Sequence, residues 1–200
     1  GQLPLILVLL TQLLCSKVAC GDEGRRIALL VGCERYQHEA LSPLRYCADD
    51  CIRLDAFLTN QGFQCRLLTD DADQRRSIRP TRRNIDRELD RILENVSRDD
   101  LILVVLTGHG LQPLGSNQPY FCPLDANPTL IAENDSQRQI PKFPDSMMGI
   151  GDLLERLSES GIGRKLILVD ACRDAPGQSV SKPVGIRNLG LELLPANSGV

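Results

Sequence analysis

Short, nearly unbroken apolar runs alternate with segments of helical period, and this constrains the chain more than any other feature. Ile27 to Val31 and Leu101 to Leu106 contain no polar residue, and Phe63 to Leu68 and Lys165 to Val169 are of similar strand length. A strand with one wet face alternates apolar with polar, whereas a strand without alternation is covered on both faces. Between these runs, Leu44, Cys47, Cys51, Leu54, Phe57 and Leu58 recur at spacings of three and four until Gly62, which predicts an amphipathic helix over 44–60. Ile85, Leu89, Ile92, Leu93 and Val96 predict a second helix with Thr81 as its N-cap, and Leu153, Leu154 and Leu157 a third, closed by Gly161. Strand and helix in alternation give an α/β fold: a mostly parallel sheet with helices on both faces. The Pro-rich stretch from Leu111 to Met148 is too long for a plain connection, and Tyr120 to Cys122 reads as a further short strand within it.

The 200 residues are one domain's length, without internal repeats, and the net charge of −3 offers no basic field for a nucleic-acid backbone. With two histidines, His38 and His109, and no C-x-x-C pair, there is little support for a structural zinc site. Leu3 to Leu14 is apolar except for Thr11 and Gln12. That is well short of the ~20 residues that span a bilayer and fits the apolar part of a secretory leader, with small residues around Ser16 to Gly21 as a cleavage zone. The alternative is an apolar segment packed on the domain. The expected organisation is a leader over 1–24, a domain over 25–175 and a loop-like region over 176–200. The protein is then secreted or periplasmic if the leader acts as a signal peptide, and cytoplasmic otherwise. The eight cysteines leave the redox compartment open. Cys33 and Cys65 read as small buried hydrophobes, and Cys47 and Cys51 share one helix face.

In open α/β sheets, ligands bind beyond the carboxyl ends of the strands. His109 follows the 101–106 run between Gly108 and Gly110, and Cys172 follows the 165–169 run in Asp170-Ala171-Cys172-Arg173. If the two strands are neighbours, thiol and imidazole emerge at one edge. A thiol with a base near neutral pH is what nucleophilic attack on an acyl group requires. Glycines there let backbone approach a substrate carbonyl. Taken singly, each residue has an ordinary structural reading, a hydrogen-bonded His and a core Cys; the paired placement is what points to catalysis.

Gly108-His109-Gly110 after one buried strand and Asp170-Ala171-Cys172-Arg173 after the next resemble the caspase and metacaspase cysteine peptidases. So do Arg26 to Gly32, Leu44 to Asp50 and Pro123 to Ala126. The caspase signature Q-A-C-[RQG]-G with a His ~50 residues upstream is altered here. The interval from His109 to Cys172 is 63, Asp170 stands for the Gln, and Asp174 for the Gly. The likeness is closer to bacterial metacaspase or orthocaspase domains than to animal caspases.

The resemblance implies Cys172 as nucleophile, His109 as general base and then acid, and the N–H groups of Gly110 and Cys172 as oxyanion hole. It further implies Asp170 and Asp50 as acidic residues of the pocket for the side chain before the scissile bond. A carboxylate there gains a charge-assisted bond from Arg or Lys and repels Asp, so peptide or protein substrates with Arg or Lys at that position are expected. No cofactor is expected; metacaspases often require calcium, but the acidic run Asp70, Asp71, Asp73 is not assigned as a metal site. The family also needs strands beyond the nucleophile loop. The chain therefore resembles the large-subunit region, expected to be poorly active alone, with a sheet edge open to the small-subunit region. Two other readings are a catalytically idle caspase-like signalling or assembly module, which has no need of the two reactive residues, and a legumain-like or gingipain-like thiol hydrolase. Neither nucleic acid nor a membrane span is expected.

Overall fold

The computed structural model describes residues 24–70, 77–133, 138–173 and 192–193, with backbone alone at 172, 173, 192 and 193. The apolar run at 3–14, the rest of the leader as far as residue 23, Asp71, Asp73 and most of the 176–200 region lie outside the described residues. In chain order the elements are β1 (Arg26–Gly32), α1 (Cys47–Asn60), β2 (Phe63–Thr69), α2 (Arg82–Leu93), β3 (Leu101–Leu111) and β4 (Tyr120–Phe121). After these come β5 (Leu130–Ala132), β6 (Gln139–Pro141), β7 (Met148–Gly149), α3 (Ile150–Glu159), β8 (Arg164–Arg173) and β9 (Glu192–Leu193).

Among the described residues the main sheet has seven strands. Its centre is parallel, with β1 between β2 and β3, and β3 also beside β8. Short antiparallel partners finish it: β4 on β3, β7 on β4 and β9 on β8. Strands β5 and β6 form a separate two-stranded antiparallel sheet inside the Pro-rich stretch.

The apolar strands are covered on both sides, as their lack of alternation requires. Ile27, Leu29, Val31, Ile102, Val104 and Leu106 face α2 and α3 through Ile85, Leu89, Leu153 and Leu157. The intervening Ala28, Leu30, Leu103 and Val105 face α1 through Cys51, Leu54 and Leu58. Each fully buried aliphatic side chain contributes ~1.5–3 kcal/mol relative to exposure, and the period of two distributes that contribution over both faces.

Several boundaries differ from the sequence reading. Helix α1 starts at Cys47 rather than Leu44, because Tyr46 takes a left-handed conformation (φ 77°) and the Leu44 N–H is given to Glu34 O. Thr81 caps α2 as expected, its side chain accepting from Asn84 N. Strands β3 and β8 run further than their apolar cores, since their parallel register continues unbroken from Leu101↔Arg164 to Gly110↔Arg173. His109 and Cys172 therefore lie within the strand ends and not after them. Cys33 is buried as expected, but Cys65 is half-buried. The expected open edge of β8 is partly occupied by β9, which pairs Leu193 with Leu166 and Glu192 with Ile167.

Candidate active site

The carboxyl ends of β3 and β8 bring the two reactive residues together. His109 and Cys172 are register partners on adjacent parallel strands, which stand ~4.8 Å apart. Gly108 pairs with Ala171, and Thr107 with Asp170. Gly110, buried beside His109, is also the partner of Phe121 on β4.

The His109 side chain is half-buried, and its Nε2 lies 2.8 Å from the Ser42 carbonyl oxygen. A carbonyl only accepts, so Nε2 carries the proton in this contact, and in the neutral ring Nδ1 holds the free lone pair. The Tyr36 ring lies against the imidazole, with centroids 4.9 Å apart and planes tilted by 48°. The Tyr36 hydroxyl accepts the His109 backbone N–H at 2.7 Å. Tyr36 and Ser42 both belong to the segment between β1 and α1, so one stretch of chain holds the histidine at its amide and at its ring. Asp70 anchors that segment: its carboxylate accepts from Glu34 N at 3.2 Å and Arg35 N at 2.6 Å.

Carboxylates cluster where α1 begins. The half-buried Cys47 thiol is hydrogen-bonded to Thr107 and lies within electrostatic reach of Glu34, Asp170 and Asp50. Burial first, and then these carboxylates, push the thiol above its ordinary range, against the Thr107 bond, which lowers it. Asp50 sits half-buried in the first turn of α1, and Asp170 is exposed. Glu34 Oε1 accepts the Ala48 N–H at 3.0 Å, which places a third carboxylate at the positive end of the helix. The structure thus gathers Asp50 and Asp170 around one thiol, and His109 beside Cys172.

The remaining candidate residues have other duties. Asp70 is committed to backbone donors and to Arg35, and among the described residues no group of three or more His, Cys, Asp or Glu is arranged to hold a metal ion. Cys33, Cys47, Cys51 and Cys122 are free thiols. No helix among the described residues is long and apolar enough to cross a membrane.

Residues 25–190 match the model of the caspase domain of the C14 peptidases. The chain belongs to the caspase domain family. No curated protein matches it. As a caspase domain it is a member of a cysteine peptidase family with protein substrates, and its mostly parallel, helix-covered sheet is the α/β fold expected of one.

Sequence reading missed four contributors to this caspase domain's site: Tyr36, Ser42, Thr107 and Glu34. Cys47 stands three positions before Asp50, one helical turn, so the helix face that carries it also presents Asp50. Ser42 acts through its carbonyl, which any residue type supplies, so no side-chain signal marks it.

Proposed function

We propose that this caspase domain is a cysteine endopeptidase that cleaves peptide bonds after Arg or Lys, with Cys172 as nucleophile and His109 as base. The observation that carries the reading is the in-register pairing of His109 with Cys172 at the ends of adjacent parallel strands. His109 Nδ1 accepts the thiol proton. The thiolate sulfur bonds to the substrate carbonyl carbon while the carbonyl electron pair moves to oxygen. The N–H groups of Gly110 and Cys172 receive that oxyanion. Collapse breaks the C–N bond, and the imidazolium returns its proton to the departing amine. Water, deprotonated by His109, then splits the thioester and restores the thiol.

Specificity rests on Asp50 and Asp170, with Glu34 adding negative charge beside Cys47. A guanidinium or ammonium entering there gains charge-assisted bonds, and an acidic side chain is repelled. The test is hydrolysis of fluorogenic peptides ending in Arg, Lys or Asp by the full-length protein, beside Cys172→Ala. Rates that depend on Cys172 and favour Arg and Lys are expected. Equal rates in wild type and Cys172→Ala overturn the peptidase reading, and a preference for Asp overturns the pocket.

A further inference from the structure

We infer that Tyr36 is a positioning residue for His109, setting the backbone and the ring plane of the catalytic base; this deepens the peptidase reading and rests on it. The need for such a residue follows from the sheet. The register of β1 on β3 ends at Gly32↔Thr107, whereas β8 follows β3 to Gly110, and β4 joins β3 only at Gly110. His109 falls in the gap between the end of β1 and the start of β4. Its carbonyl is taken up by Cys122 N at 2.9 Å, and its N–H is taken up by the Tyr36 hydroxyl at 2.7 Å. The tyrosine stands in for the missing strand.

The same side chain fixes the ring. Its aromatic face lies 4.9 Å from the imidazole centroid, while Ser42 O holds Nε2. One hydrogen bond at Nε2 leaves the imidazole free to turn about that bond, and an aromatic surface alongside removes this freedom. Tyr36 is itself tethered: its hydroxyl donates to Cys33 O at 3.4 Å, and the next residue, Gln37, donates its N–H to Leu124 O at 3.0 Å. The hydroxyl needs room at Gly108, where a Cβ would stand 2.6 Å from the Tyr36 oxygen. A general base must meet its proton within a narrow range of distance and direction, and small misplacements cost rate steeply.

The experiment uses the full-length protein, with His38→Gln to assign the signals of the two histidines. Tyr36→Phe keeps the ring and removes the hydroxyl, and Tyr36→Leu removes both. In Tyr36→Phe the His109 amide exchanges with solvent at least about tenfold faster, and kcat on an Arg-ending peptide falls about tenfold with KM within about twofold. In Tyr36→Leu the carbon-bound proton signals of the His109 ring shift and broaden as the ring plane loses its support, while Nε2 keeps its proton, and kcat falls further. Unchanged amide exchange and kcat in Tyr36→Phe overturn the inference, as does a raised KM at unchanged kcat, while wild-type hydrolysis leaves the peptidase reading standing. A wild-type protein no faster than Cys172→Ala overturns the peptidase reading itself and the catalytic part of this one with it.

Discussion

Replacing Gly108 by Ala probes the packing behind His109 without touching the His109 or Cys172 side chain. The added Cβ would lie 2.6 Å from the Tyr36 hydroxyl, 3.2 Å from Phe121 Cε2 and 3.3 Å from Cys33 Cβ. Phe121 and Cys33 are fully buried and have little room to retreat, whereas the tyrosine hydroxyl is the tip of a half-buried side chain. Relief therefore comes from displacing Tyr36, which leaves the His109 N–H without its acceptor. Overpacking costs ~1–3 kcal/mol, and an amide left unsatisfied belongs to the same range. With a urea slope of ~2 kcal/mol per molar, the unfolding midpoint falls by roughly 0.5–1.5 M. The double variant gives a sharper test. In a Tyr36→Phe background the hydroxyl contact no longer exists, so Gly108→Ala costs about 1 kcal/mol less there than in wild type. Denaturant unfolding of the four proteins of this cycle gives the answer. Additivity within ~0.5 kcal/mol would refute the claim that Gly108 is small to make room for the Tyr36 hydroxyl.

Asp100 is held at about 2, chiefly by its hydrogen bond from the Arg25 side chain, with further donation from Ser97 N and Arg25 N. Because the folded value lies below the ~3.9 of an unfolded aspartate, its contribution is complete above pH 4 and is lost as pH falls through about 2. Asp100→Asn is expected to cost ~1–3 kcal/mol at pH 7 and to converge with wild type near pH 2, and a constant difference across that window would count against the ion pair. Burial pushes the Cys122 thiol up to about 12 and raises Cys33 and Cys51 as well. Iodoacetamide at pH 8 should leave these three unlabelled in the native protein and label them on unfolding, as peptide mapping will show; labelling of native Cys122 at the unfolded rate would contradict its burial. Thr81→Ala removes the acceptor for Asn84 N and should cost about 1 kcal/mol of stability, with a loss under 0.3 kcal/mol indicating that the cap contributes nothing. Asp170→Asn should slow hydrolysis after Arg and Lys by at least about tenfold, and an unchanged preference would remove Asp170 from the pocket.

The layered fold was legible because burial on two faces leaves a mark on one strand at a time. Ile27 to Val31 shows it, since the residues facing α2 and those facing α1 must both be apolar. Helix α2 was legible for a related reason: Ile85, Leu89 and Ile92 fall on one face, and Thr81 carries an oxygen that a helix start can use. Element ends were less legible, because they are decided by pairing and not by composition. Strand β3 continues through Thr107, Gly108, His109 and Gly110, which have no shared propensity, because β8 follows it residue for residue. Helix α1 loses its first three positions to a left-handed Tyr46, a conformation that nothing in a tyrosine announces.

The candidate site divides along the same physical line. Residues acting through a distinctive side chain, His109, Cys172, Asp50 and Asp170, stand out in a sequence because few types of residue can perform their chemistry. Groups that hold those residues use generic chemistry: a backbone carbonyl at Ser42, a tyrosine hydroxyl standing in for a strand, a threonine hydroxyl on the Cys47 thiol. Their significance lies in position alone, and position here is fixed by where β1 stops and β3 does not. Stopping β1 two positions short of His109 leaves one amide to be satisfied by a side chain. The segment that supplies it also carries Ser42 to the imidazole and leads into α1, where Asp50 waits. One break in the sheet therefore places Tyr36 and Ser42, which hold His109, on the same length of chain as Glu34, so on the proposed mechanism a substitution in 33–46 is expected to alter rate and specificity together.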